Sequence, residues 1–235
     1  NKYVKKEYLI TNLQKSRVVP LVQAEHPDEA VAVSKALLEG GLEVLEVVLR
    51  TDAAFDCLEA VAEAFPDVSV GAGTVLSPAH AEKAIGRGAK FLVSPGLHAG
   101  VVGVAQENDL VILPGIATAT ELQQAWNMGL RMVKCFPAGQ AGGPAMLKAL
   151  SAAFRDMQFM PTGGVSAANL NEYLAVPSVI ACGGSWLTPA AEIADGNFEA
   201  GFNDKDEAVV PVTFNAHYLS TDLETEPWKI YTPII

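Results

Sequence analysis

The chain of 235 residues suits one sizeable domain or two small ones, and with 50% hydrophobic and 18% charged residues it can bury a large core. A formal net charge of −11 argues against non-specific binding to nucleic acid or to an anionic membrane surface. Mean hydropathy is +0.23, yet the apolar runs are short and broken by Gly, Pro or charge, well below the ~18–20 residues of a spanning helix.

Residues 1–16 read as an amphipathic helix with Tyr8, Leu9 and Leu13 on one face; they hold no apolar stretch with a small-residue cleavage site, so a cytoplasmic location is expected. From Arg17, β-branched runs alternate with amphipathic stretches. Strands are expected at Val18–Gln23, Leu42–Leu49, Val68–Thr74, Phe91–Ser94, Leu110–Pro114, Met132–Pro137, Gln158–Thr162 and Val179–Gly183. The intervening helices are Pro27–Leu38, Ala53–Phe65, Pro78–Ile85, His98–Gln106, Thr120–Met128, Ala145–Phe154 and Ala167–Leu174, with a further start near Thr188. Ser77-Pro78 is a helix entry, and Gly40-Gly41, Gly86, Gly88 and Gly129 mark exits.

Eight β–α units with short connections describe either a (β/α)8 TIM barrel or a doubly wound sheet. A dinucleotide fold would carry G-x-G-x-x-G after its first strand, whereas Ala24-Glu25-His26-Pro27 follows here. The barrel is therefore the expected class. It comprises residues 1–198 with the N-terminal helix, and 199–235 form an atypical C-terminal arm in which Val209–Phe214 alternates like a strand.

Barrel enzymes place their chemistry at the C-terminal strand ends. Of the eleven lysines, only Lys134 falls mid-strand in an apolar run. Period-2 alternation sets Met132, Lys134 and Phe136 on one face and Val133 and Cys135 on the other. A buried ammonium is costly to desolvate, which favours the free amine needed to attack a ketone. The structural alternative is a lysine snorkelling from a strand end or paired with a core carboxylate. The same count puts Val44, Glu46, Val48 and Arg50 together on the second strand, opposite the sixth in an eight-stranded barrel. Glu46 then suits a proton shuttle and Arg50 a carboxylate clamp, or else they form structural ion pairs. Glu43 has the opposite parity.

Glycine pairs after the seventh and eighth runs, Gly163-Gly164 and Gly183-Gly184, stand where barrels build phosphate sites from backbone N–H groups; tight turns explain either pair equally well, and two pairs in corresponding loops are more specific than one. His26, His80, His98 and His217 show no metal-ligand spacing. Cys57, Cys135 and Cys182 lie far apart, which reads as three reduced, buried thiols.

Seven stretches carry a family likeness: Leu45-Glu46-Val47-Val48-Leu49-Arg50-Thr51, Val70-Gly71-Ala72-Gly73-Thr74-Val75-Leu76, Ser94-Pro95-Gly96, Leu113-Pro114-Gly115-Ile116, Lys134-Cys135-Phe136-Pro137-Ala138, Pro161-Thr162-Gly163-Gly164-Val165 and Gly183-Gly184-Ser185-Trp186-Leu187. In this order they resemble the class I 2-keto-3-deoxy-6-phosphogluconate / 4-hydroxy-2-oxoglutarate aldolases. The resemblance implies a homotrimeric TIM barrel that needs no cofactor or metal and acts on a 2-keto acid and a phosphorylated aldehyde. Lys134 would form the Schiff base and Glu46 would move protons. Arg50, Thr74, Pro95 and Thr162 would surround the pyruvate part, and Gly163, Gly164, Gly184 and Ser185 the phosphate. The implied substrate is 2-keto-3-deoxy-6-phosphogluconate. Alternatives are a preference for 4-hydroxy-2-oxoglutarate or the phosphogalactonate epimer, or a phosphate-binding barrel isomerase or scaffold without imine chemistry. Two departures stand out. Gly139-Gln140-Ala141 follows Ala138, where many relatives turn acidic, and the tail lacks the expected final amphipathic helix.

Overall fold

The β-branched runs form strands that are buried on both faces, as parallel strands covered by helices are. The computed structural model describes residues 2–188. In chain order its elements are α1 (Lys2–Ser16), β1 (Val18–Val22), α2 (Pro27–Glu39), β2 (Val44–Val48), α3 (Ala54–Ala64), β3 (Ser69–Gly73), α4 (Pro78–Gly86), β4 (Phe91–Val93), α5 (Ala99–Glu107), β5 (Val111–Leu113), β6 (Gly115–Ile116), α6 (Ala119–Asn127), β7 (Met132–Cys135), α7 (Gly143–Ala153), β8 (Gln158–Pro161), α8 (Leu170–Leu174) and β9 (Cys182–Gly184), closed by a 3-10 turn at Ser185–Leu187. Every strand residue except Gln158 is buried.

The result is an α/β fold around a curled parallel sheet. β5-β4-β3-β2-β1-β9 form one run of paired strands and β6-β7-β8 another. The strand expected at Leu110–Pro114 appears as β5, and a second short strand, β6, begins just beyond Pro114, outside the expected bounds. Leu113 O accepts from Ser94 N–H at 3.3 Å on one side, while Pro114 O accepts from Lys134 N–H at 2.9 Å on the other. Proline lacks an N–H, so the ladder can change partners there. At the opposite edge, isolated parallel bridges join Phe159 to Val179 and Thr162 to Gly183. The expected strand Val179–Gly183 pairs with β1 only from Cys182 onward.

The helix expected from Ala167 starts at Leu170. Asn169 explains the delay: its Oδ1 accepts from Ser166 N–H at 2.8 Å and its Nδ2 donates to Gly164 O at 2.9 Å, a side-chain turn that competes with helix. Ser77 caps α4, its Oγ accepting from His80 N–H at 3.2 Å. Thr118 and Glu121 form a reciprocal cap on α6, where the Ala117 N–H leads in holding the Glu121 carboxyl below its ordinary range. The start near Thr188 and the arm at 199–235 lie outside the described residues. No described helix is long and apolar enough to cross a membrane.

Two apolar clusters divide the core. α2 to α8 pack on the convex face of the sheet, against alternate strand residues such as Leu45, Val47, Val133 and Cys135. The opposite parity, Val19, Val44, Phe91, Val111, Met132 and Met160, fills the concave face and is joined by Leu9 and Leu13 of α1. Because Val44, Phe91, Val111 and Met132 open their strands, α1 covers the N-terminal end of the sheet. Tyr8 does not belong to this face: it is 47% exposed, while Leu9 and Leu13, one turn apart, and Asn12 are buried. Removing the Leu13 side chain leaves a cavity at this end. Leu13→Ala is expected to cost ~2–5 kcal/mol in urea unfolding, with Tyr8→Ala within ~0.5 kcal/mol of wild type.

Candidate active site

Lys134 belongs to β7, whose register pairs it with Gly115 on one side and Met160 on the other. Its neighbours Val133 and Cys135 turn into the convex core, which sends the lysine to the concave side with Met132. There its Nζ stands 3.7 Å from Oε1 of Glu46 on β2, with the two side chains only 2% and 0% exposed. That separation exceeds a hydrogen bond, and neither Glu46 oxygen has a hydrogen-bond partner among the described residues. Two buried ionisable groups thus face each other across the concave side without a hydrogen bond between them. Phe136, two residues along, sets its ring 5.2 Å from Nζ.

The other expected site residues sit at the C-terminal strand ends. Arg50, just past β2, donates through Nε to Thr74 Oγ1 at 3.1 Å, just past β3. Thr74 adopts φ +60°, the left-handed region that a β-branched residue rarely enters and that tends to occur at functional sites. Thr162 is buried, its Oγ1 has no hydrogen-bond partner among the described residues, and it bridges to Gly183. Any side chain on Gly183 would overlap that hydroxyl. Pro95 follows β4, and its carbonyl presses on Gly115 where a side chain would collide.

Gly163 and Gly164 take consecutive left-handed conformations, φ +84° and +81°. The loop after β7 lies on theirs: Ala138 N–H donates to Thr162 O and Gly139 N–H to Gly163 O, both at 2.9 Å. A Cβ on Gly139 would come within 3.3 Å of the Gly164 Cα. Glycine rather than an acidic residue thus allows backbone-on-backbone contact here. Gly184 pairs with Pro20 at the end of β9, and Ser185 is exposed beside it.

All ten expected residues therefore fall on the concave face or on one rim. Direct contacts link Arg50 with Thr74, and Lys134 and Glu46 form a close pair; Pro95, Gly163, Gly164, Gly184 and Ser185 share the rim through their strand ends. Phe136 and Phe91 were not singled out by the sequence. Parity did put Phe136 on the lysine's face, but an aromatic in an apolar run gives no charge signal. Among the described residues no group of three or more His, Cys, Asp or Glu side chains could hold a metal ion.

The KDPG and KHG aldolase family model matches residues 9–202. The 2-dehydro-3-deoxy-phosphogluconate aldolase of Treponema pallidum is 44% identical over 186 residues, 79% of this chain and 89% of that protein. The KHG/KDPG aldolase of Escherichia coli K12 is 42% identical over 182 residues, 77% of this chain and 85% of its own length. Among solved structures, KDPG aldolase from Legionella pneumophila, with pyruvate captured at low pH as a covalent carbinolamine intermediate, superposes with a TM-score of 0.76 at 38% identity, covering 79% of this chain and 90% of that one. A parallel α/β fold with a buried lysine–carboxylate pair at its centre is the setting of a Schiff-base lyase. The chain belongs to the KDPG and KHG aldolase family.

The thiols stand apart from this chemistry. Cys57, Cys135 and Cys182 are buried and free, and burial pushes Cys135 and Cys182 up to about 12. Their protonated forms therefore stabilise the fold below the unfolded thiol range, and that contribution is lost as pH rises from there towards about 12. At about pH 8.5, an ordinary thiol pKa, iodoacetamide is expected to leave Cys135 and Cys182 unmodified in the folded protein and to label them in denaturant, as peptide mass spectrometry would show.

Proposed function

We propose that the chain is a class I aldolase that reversibly cleaves 2-keto-3-deoxy-6-phosphogluconate to pyruvate and glyceraldehyde 3-phosphate, with Lys134 as the imine-forming residue. The observation that carries this is the buried Lys134–Glu46 pair, 3.7 Å apart and with no hydrogen bond to either carboxylate oxygen among the described residues. The pyruvate carbinolamine in the Legionella pneumophila relative supports amine attack on the keto carbon.

The Lys134 amine adds to C2 of the keto acid, and loss of water leaves an iminium. Glu46, directly or through one water, takes the proton of the C4 hydroxyl. The C3–C4 bond then breaks, its electrons flowing into the iminium to give an enamine and the free aldehyde. Glu46 returns the proton to C3, and water hydrolyses the iminium to release pyruvate and the amine. Arg50, held by Thr74, binds the carboxylate of the keto acid; Pro95 and Thr162 flank it. Gly163, Gly164, Gly184 and Ser185 offer backbone N–H groups and a hydroxyl to the phosphate, the left-handed glycines turning their amides outward.

In this reading β5 and β6 are halves of one strand, and the ring runs through Pro114 and the β8–β9 bridges to form a closed (β/α)8 barrel. The same reading includes a homotrimer, a cytoplasmic location and independence of cofactor and metal. A second substrate, 4-hydroxy-2-oxoglutarate, is favoured by the Escherichia coli relative's name; specificity constants over both substrates and the phosphogalactonate epimer decide the order.

Borohydride with pyruvate is expected to label Lys134 in the wild type and to label nothing in Lys134→Ala; absence of a wild-type adduct sinks the mechanism. Glu46→Gln should still be trapped while kcat falls by ~10²–10⁴. Arg50→Ala should raise KM for the keto acid by about 10-fold or more, since one charge-assisted bond is lost.

A further inference from the structure

Nothing among the described residues holds the Glu46 carboxylate by a hydrogen bond, so its direction comes from the shape around it together with the Lys134 Nζ 3.7 Å away. The register pairs Glu46 with Gly71 and Val48 with Gly73, which puts both glycines on the concave face next to Glu46. The Phe91 ring occupies the space that a side chain on Gly71 would fill. The Glu46 side chain occupies the corresponding space over Gly73: a Cβ there would lie 2.7 Å from Glu46 Cγ and 2.8 Å from Cδ, with Oε1 closer still. Those separations are below any real carbon–carbon contact. Towards the N-terminal ends of the strands, the course is shut by an aromatic ring; towards the C-terminal ends, it is left open by a missing side chain. The carboxylate follows the open course and comes to rest facing Lys134.

We propose that Gly73 and Phe91 are positioning residues that together aim the Glu46 carboxylate at the reacting centre, Gly73 by vacating the space it occupies and Phe91 by blocking its retreat. This inference rests on the aldolase reading above. Gly73 is outside the left-handed region, so alanine meets a steric obstacle only. An added methyl must push the carboxylate away, and misplacement by about 1 Å can cost 10²-fold in rate.

The test uses the full chain and compares Gly73→Ala with Gly86→Ala, where an added Cβ meets nothing within 4 Å. Three quantities are read: borohydride trapping of pyruvate on Lys134, exchange of the pyruvate methyl protons in deuterium oxide, and kcat and KM for cleavage. In Gly73→Ala, trapping should stay within a few-fold of wild type, while exchange and kcat fall by about 100-fold and KM moves little. Adding Gly73→Ala to Glu46→Gln should cost little beyond Glu46→Gln alone, because residues acting through one group are not additive. Phe91→Leu opens the lower course and should give the same signature if Gly73→Ala does not fold. Gly86→Ala should match wild type. Wild-type exchange in Gly73→Ala overturns the proposal. So do losses of Gly73→Ala and Glu46→Gln that multiply, or trapping and exchange that fall together in both the Gly73 and Phe91 variants. A wild-type protein that never traps pyruvate removes the aldolase reading as well; one that traps and exchanges normally alongside an unaffected Gly73→Ala removes only the positioning role.

Discussion

An amine and a carboxylate facing each other inside an apolar sheet set the terms for the residues around them. Each charge alone would cost several kcal/mol to bury, and their attraction offsets this only while both are held close. Lys134 and Glu46 come from strands far apart in sequence, so the rest of the sheet must hold those two strands at the spacing that leaves 3.7 Å between the groups. The gap is short enough for mutual stabilisation and too long for a hydrogen bond, so it does not lock the pair. Among the described residues, Glu46 and Thr162 keep buried side-chain oxygens without a hydrogen-bond partner at this site, polar capacity that a reactant can meet.

That requirement divides the molecule into two ends. At the N-terminal end of the strands, α1 brings Leu9 and Leu13 onto Val44, Phe91, Val111 and Met132, making an apolar floor. Water is kept from approaching the pair from below, and the floor supports stability. At the other end the chain is rich in glycine and in unusual backbone: Thr74 at φ +60°, Gly163 and Gly164 left-handed in succession. Here backbone approaches backbone, and small residues make room for polar side chains of the next strand, Gly73 for Glu46 and Gly183 for Thr162. The floor consists of large apolar side chains and the rim largely of their absence.

Much of this was legible in the residue order. Period-2 alternation on strands with both faces buried leaves few places for a charge, so Lys134 and Glu46 announced themselves by type and parity alone. The cap at Ser77-Pro78 and the positive-φ exits at Gly41, Gly88 and Gly129 follow from local backbone chemistry that no distant contact overrides. Elsewhere local signals misled. Tyr8 shares a helical stretch with Leu9 and Leu13, but only a neighbouring surface decides which arc of a helix is covered, and it is exposed. Pro114 reads as a strand end and β5 does stop before it, but the further short strand β6 just beyond it, on a different partner, has no local signal. Asn169 delays α8 through side-chain bonds that composition does not reveal.

By itself, the sequence determined the alternation of strands and helices, the face on which each strand charge lies, and the family to which the ordered motifs belong, because these depend on neighbours a few residues away. The tertiary structure alone decided that Glu46 reaches Lys134, and by which course. That reach depends on the cross-strand register that sets Glu46 beside Gly71 and Gly73, and on the Phe91 ring from another strand filling one of the two spaces. Distances across a sheet arise from how strands twist and pair, and no spacing along the chain encodes them directly.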